Sequence, residues 1–96
     1  MEDRLLTLHP EGKKGVNIMV SKYTIMKEFI LKTLSEREKI SYKELNKLAI
    51  ASLKDSFEGS VAWYLVSVKL DLEARKIIER IPGTSPHLLR LCKKIG

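Results

Sequence analysis

The sequence predicts an α+β domain: three helices, then a C-terminal β-hairpin, with an extended arm at the N-terminus. Three observations predict it. Residues 59–80, GSVAWYLVSVKLDLEARKIIER, read as a long helix that turns directly into a short strand. Two earlier segments repeat apolar residues at the helical period, the second opened by a capping pattern at Ser41 and Glu44. Near the N-terminus, Val16, Ile18 and Val20 alternate with Asn17 and Met19, which is strand periodicity. A length of 96 residues with an apolar share of 44% supports one modest core and not two.

Residues 1–20 are expected to form the arm and residues 21–96 the domain. Leu5, Leu6 and Leu8 precede the turn-rich HPEGKKG and the alternating segment. So many apolar residues need a surface, so the arm is expected to lie packed on the domain as a short extended segment. Ser21 is suited to cap a first helix running to about Glu36, with Tyr23, Met26, Phe29, Ile30, Thr33 and Leu34 on one face. SEREK breaks that pattern, and Ile40 is an isolated apolar residue suited to a very short strand. In the second helix, the side chains of Ser41 and Glu44 would each satisfy a free amide at the helix start. Leu45, Leu48, Ala49, Ser52 and Leu53 fall inward there, and Lys43, Lys47 and Lys54 outward. After the turn-prone KDSFEG, Gly59 and Ser60 open the third helix. Its inward stripe is Val61, Leu65, Val68 and Leu72, broadened by Tyr64. Residues 77–81 read as a strand, PGTSP as a turn, and residues 87–92 as the returning strand.

Eighteen basic residues against twelve acidic ones give a net charge of +6. That excess favours polyanions through the summed field, although lysines spread along the chain equally make a solvated surface. Cys92 is the single cysteine, so no intramolecular disulfide can form and a reducing compartment fits. The N-terminus lacks the apolar core of a signal peptide, and no run approaches the roughly 18 apolar residues of a membrane span. A cytoplasmic location is expected.

Three helices followed by a hairpin is the winged-helix order. LEARKIIERIPG resembles the end of the recognition helix and the first wing strand of bacterial winged-helix transcription regulators. Those commonly read Leu-x-x-x-Gly-Leu-Ile/Val, and Leu72, Ile77 and Ile78 match, while Lys76 stands where the glycine is usual. KKGVNI, GSVAWY, VKLDLEAR and IIERIPG together resemble a small uncharacterised bacterial winged-helix family, over about residues 13–91. The resemblance implies a winged helix-turn-helix fold with DNA, RNA or protein as partner; fold alone does not choose among them.

In the docking that this fold implies, outward residues of the third helix meet base edges. Here the outward arc is Trp63, Val66, Ser67, Leu70 and Ala74. It holds no Arg, Asn or Gln for the bidentate contacts that discriminate bases. A helix apolar all round is usually buried all round, so Trp63, Val66 and Leu70 are expected to pack against the arm or a second copy. Candidate phosphate contacts are Lys43 and Lys47, one turn apart on the second helix, Lys69 beside the arc, and Lys13 and Lys14 in the arm, with Ser60 and Ser67 as hydroxyl donors. The same residues fit a solvated surface, in which Lys69 pairs with Glu73 and Asp71 with Arg75 four residues on. EGKKG lacks the spacing of a phosphate loop, and PGTSP holds no basic residue to grip a minor groove.

No metal site, cofactor or catalysis is expected. His9 and His87 stand far apart, each beside a proline, and HExxH and CxxC spacings are missing. Lys93 and Lys94 would lower the pKa of Cys92 if they lie beside it, but Cys92 reads first as a strand residue near the end of the chain. Two functions follow: a cytoplasmic DNA-binding or transcription-regulatory homodimer held mainly by phosphate contacts, or a protein-interaction or dimerisation module whose surface is the Trp63/Val66/Leu70 arc.

Overall fold

The computed structural model describes residues 3–83 and 88–92. Thr84, Ser85 and Pro86, expected in the PGTSP turn, and His87, Lys93 and Lys94 lie outside them. The fold is α+β, with three helices and two small antiparallel sheets. Strands β1 (Arg4–Leu6) and β2 (Asn17–Met19) come first, then α1 (Val20–Arg37), β3 (Lys39–Ser41), α2 (Tyr42–Leu53), α3 (Val61–Ala74), β4 (Ile78–Ile81) and β5 (Leu88–Leu91). β1 pairs with β2, and β5 lies between β3 and β4. This order is compatible with a winged-helix-like layout.

The predicted apolar stripes are the ones that meet. Met26, Ile30 and Leu34 of α1, Leu45 and Ala49 of α2, and Leu65, Val68 and Leu72 of α3 are all buried. Ile40, Ile78 and Leu89 close this core from the three-stranded sheet. Ile40 is therefore the inward residue of a real strand, set opposite Leu89 in the register. Ser41 caps α2 by accepting from the Glu44 amide at 3.1 Å. Ser52 departs from expectation: it is exposed, because it lines an open groove with Phe29, Thr33 and Leu48 between α1 and α2.

The arm differs from a single extended segment. It folds back on itself, pairing Arg4 with Met19, Leu5 with Ile18 and Leu6 with Asn17. Strand alternation then turns Ile18 into the core at 2% exposure and leaves Leu6 outside at 59%. β2 runs straight into α1, so Met19, not Ser21, holds the N-cap position, without a side-chain hydrogen bond. The Val20 amide is satisfied instead by the Asp3 carbonyl at 3.0 Å. Strand pairing has taken over the work of a capping side chain.

The junction from α3 to β4 explains how a lysine serves where glycine is usual. Lys76 adopts φ 63°, in the left-handed region. Its amide donates to Glu73 O at 3.1 Å and that of Ile77 to Leu72 O at 2.9 Å. These are the two bonds of a Schellman motif. The turn is as tight as with glycine, at the cost of a strained side-chain-bearing residue.

Candidate functional site

α3 presents few free polar groups, although half of the residues singled out for binding lie on it. Its N-cap, Ser60, uses its hydroxyl oxygen to accept from the Trp63 amide at 3.2 Å. The Ser67 hydroxyl donates back to the Trp63 carbonyl at 2.9 Å. Lys69, expected beside the arc as a phosphate contact, is only 6% exposed. Its ammonium meets Glu73 at 2.7 Å and sits 5.2 Å from the centre of the Tyr42 ring. Arg80 of β4 closes the same carboxylate at 2.6 Å. A cation so enclosed has its donors directed inward, away from any external phosphate.

The centre of the helix is a buried carboxylate. Asp71 is fully buried (0% exposed). Its Oδ1 accepts from the Leu8 amide of the arm at 2.8 Å. Its Oδ2 accepts from the Tyr23 hydroxyl of α1 and from Arg75 Nε at 2.8 Å. One residue thus ties arm, α1 and α3 together, and three donors compensate for removing its charge from water. Burial, and then the hydrogen bond to Asp71, raise the Tyr23 pKa far above the usual tyrosine range. The Arg75 pKa is raised chiefly by its hydrogen bond to the same carboxylate. In the sequence, Asp71 reads only as the partner of Arg75 and Tyr23 only as part of an apolar stripe. The available signal is three charged residues, Lys69, Asp71 and Glu73, inside a helix apolar on every side.

The outward arc is divided. The arm is seated over its C-terminal part, where Thr7, Leu8 and Val16 enclose a small cavity with Ser67 and Leu70. Gly15 allows this closure: a Cβ there would come within 1.7 Å of the Thr7 carbonyl oxygen. Val66 is half-buried, and Trp63, at the N-terminal end, remains 45% exposed. The Trp63 ring stands edge-on to Tyr64 at 4.8 Å, and Tyr64 in turn meets Phe57 at 5.1 Å. Lys22 Nζ lies 5.0 Å from the centre of the Tyr64 ring and donates to the Glu58 carbonyl at 2.9 Å. The exposed indole is therefore mounted on a packed aromatic base.

Lys43 and Lys47 stand exposed on α2, and neither forms an ion pair with a described residue. In the arm, Lys13 lies 3.4 Å from Glu11, both well exposed, and Lys14 is exposed beside the arm cavity. Of the residues named as nucleic-acid contacts, Ser67 and Lys69 have their polar groups engaged within the fold, whereas Ser60 and the other four lysines are exposed.

Cys92 lies just beyond the end of β5. Its pKa is raised, by burial first and then by the Glu79 carboxylate, whose Oε1 is 3.8 Å from Sγ. A thiol so placed holds its proton and is a poor nucleophile. Among the described residues no group of three or more His, Cys, Asp or Glu is placed to hold a metal ion, and no helix is long and apolar enough to cross a membrane. Residues 4–89 match a family of unknown function. No curated protein and no solved structure matches.

Proposed function

The chain belongs to that family of unknown function, DUF6958, and we propose that it acts as a protein-interaction or dimerisation module of winged-helix fold, centred on the outward face of α3. The observation that carries this reading is the contrast along one helix. Ser67 and Lys69 have their polar groups engaged internally, while the Trp63 ring stands edge-on to Tyr64 and 45% exposed. Large rigid aromatics on an exposed face supply contact area at low entropic cost. A base-reading helix needs the reverse, free donors and acceptors at the groove. Sedimentation of wild type and of Trp63→Glu over a concentration series tests the reading. Weak self-association lost in the variant supports it, and self-association of equal strength in the two proteins rejects it.

A second reading is favoured by Lys43 and Lys47. In winged-helix docking the second helix crosses the phosphate backbone, and here it shows two exposed lysines one turn apart, on a chain of net charge +6. Binding to duplex DNA by such contacts is independent of sequence and falls steeply with salt, by a log–log slope of about 0.9 per phosphate neutralised. Titrating duplex DNA at several salt concentrations, with Lys43→Ala/Lys47→Ala alongside, checks it: the slope is expected to fall by about 2 in the double variant. No binding by wild type at low salt excludes a DNA role.

A further inference from the structure

We propose that the open groove between α1 and the base of the β4–β5 hairpin is a binding site for a small amphipathic anion, a molecule with an aliphatic body and one carboxylate or phosphate head. Neither the Trp63 arc nor the α2 lysines line this groove, so binding there depends on neither of the functions above.

The floor is assembled from three parts of the chain. Leu31 of α1, Ile77 at the α3–β4 junction and Leu91 of β5 meet there, each half-buried. The left-handed turn at Lys76 delivers Ile77, and the Cys92 amide on the Ile77 carbonyl at 3.0 Å fixes the end of β5 beside it. Leu31 stands one turn from Lys27 on the same face of α1. The enclosed space is about 680 Å³, inside the range of roughly 300–1,000 Å³ typical of small-molecule sites. Three half-buried aliphatic side chains fall far short of the roughly 800 Å² that each partner gives to a stable protein interface. The dimensions fit a small molecule better than a second protein.

Charge decides which small molecule. Lys27 is half-buried and Lys32 exposed at the rim, and neither ammonium pairs with a described residue. The other polar side chains of the lining are engaged. The Ser35 hydroxyl donates to the Lys32 carbonyl at 2.9 Å, and the Cys92 thiol lies 3.8 Å from Glu79. That glutamate is in turn paired with Arg90 at 2.6 Å, and no carboxylate of a described residue lines the groove. An apolar floor below two unpaired ammonium groups complements an aliphatic chain that ends in negative charge. The Lys27 stem can lie along such a chain while its head stays at the rim. A cation would be repelled, and a neutral alcohol would leave both ammonium groups without a counter-charge.

The test titrates the full chain with octanoate, octyl phosphate, octanol and octyltrimethylammonium, each kept below its micelle-forming concentration. Calorimetry reports affinity, and backbone amide shifts report location. Both anions are expected to bind with shifts centred on Leu31, Ile77 and Leu91, about tenfold more tightly than octanol. The tighter of the two identifies the head group. Lys27→Met/Lys32→Met keeps the aliphatic stems; it is expected to lose that tenfold preference and to leave octanol binding unchanged. Leu31→Trp fills the groove and is expected to remove binding of every probe. The lysine variant reads the site even if the tryptophan disturbs folding, because both ammonium groups lie outside the core. Equal affinity for octanoate and octanol in wild type overturns the anion site, as does a preference that survives the double lysine substitution. No binding of either anion at millimolar concentration, or shifts centred elsewhere, overturns the groove as a ligand site. Self-association of wild type that Leu31→Trp abolishes would assign the groove to a second copy instead.

Discussion

Asp71 is the residue on which the most contacts converge, because its carboxylate serves donors from three separate elements. Replacing it with alanine strands the Tyr23 hydroxyl and the Leu8 amide and frees the Arg75 guanidinium. Asp71→Ala is expected to cost roughly 3–5 kcal/mol in urea unfolding. Asp71→Asn keeps an acceptor for Leu8, so its cost should be smaller. The same network sets an alkaline limit. The Tyr23 pKa is raised from its ordinary 10.0, chiefly by burial and then by Asp71. Above pH 10 the unfolded chain releases a proton that the native state keeps, so stability is full below about pH 10 and falls as the pH rises further. Tyr23→Phe is expected to lower stability at neutral pH and to flatten much of that alkaline decline. Urea unfolding at pH 8 to 11 distinguishes the slopes. Neither role is visible in the local sequence, where tyrosine at position 23 fits a helical apolar stripe as well as methionine or isoleucine would.

At the scale of elements, the helices follow from pattern and their ends depend on context. The second helix starts where the Ser41 side chain puts it, and the third where Ser60 does. The first starts one residue before its predicted cap because β2 hands it a satisfied amide. Helix α3 ends in a Schellman turn with a lysine in the left-handed position, φ 63°. Lys76→Gly should remove that strain and stabilise the protein by about 1 kcal/mol, read as an increase in urea midpoint at constant m. A decrease would mean that the Lys76 side chain makes a contribution larger than its backbone strain. Glycine would meet the same geometric demand without strain. The inward stripe of α3 was legible because Val61, Leu65, Val68 and Leu72 repeat at the helical period. The state of its outward arc was not, since apolar residues there fit cover by the arm and exposure equally well.

The whole molecule holds a single core to which the arm contributes one strand residue in full and its neighbours only in part. Ile18→Ala is expected to cost about 3 kcal/mol, because a fully buried isoleucine is lost. Leu6→Ala should stay within about 0.5 kcal/mol, since Leu6 is 59% exposed. Urea unfolding of both variants checks whether the arm is anchored through Ile18 and not through Leu6. By itself the sequence determined the order of the three helices and the strands after them, and most of the inward faces. These are local consequences of periodicity, capping and backbone preference. The tertiary structure alone decided which polar groups of α3 remain free, what lies over Leu70, and which way the Cys92 pKa moves. The bonds responsible join residues far apart in the chain, 48 positions for Tyr23 and Asp71 and 63 for Leu8 and Asp71. No local pattern encodes such a pairing. It exists only once packing has brought the arm, α1 and α3 around the same carboxylate.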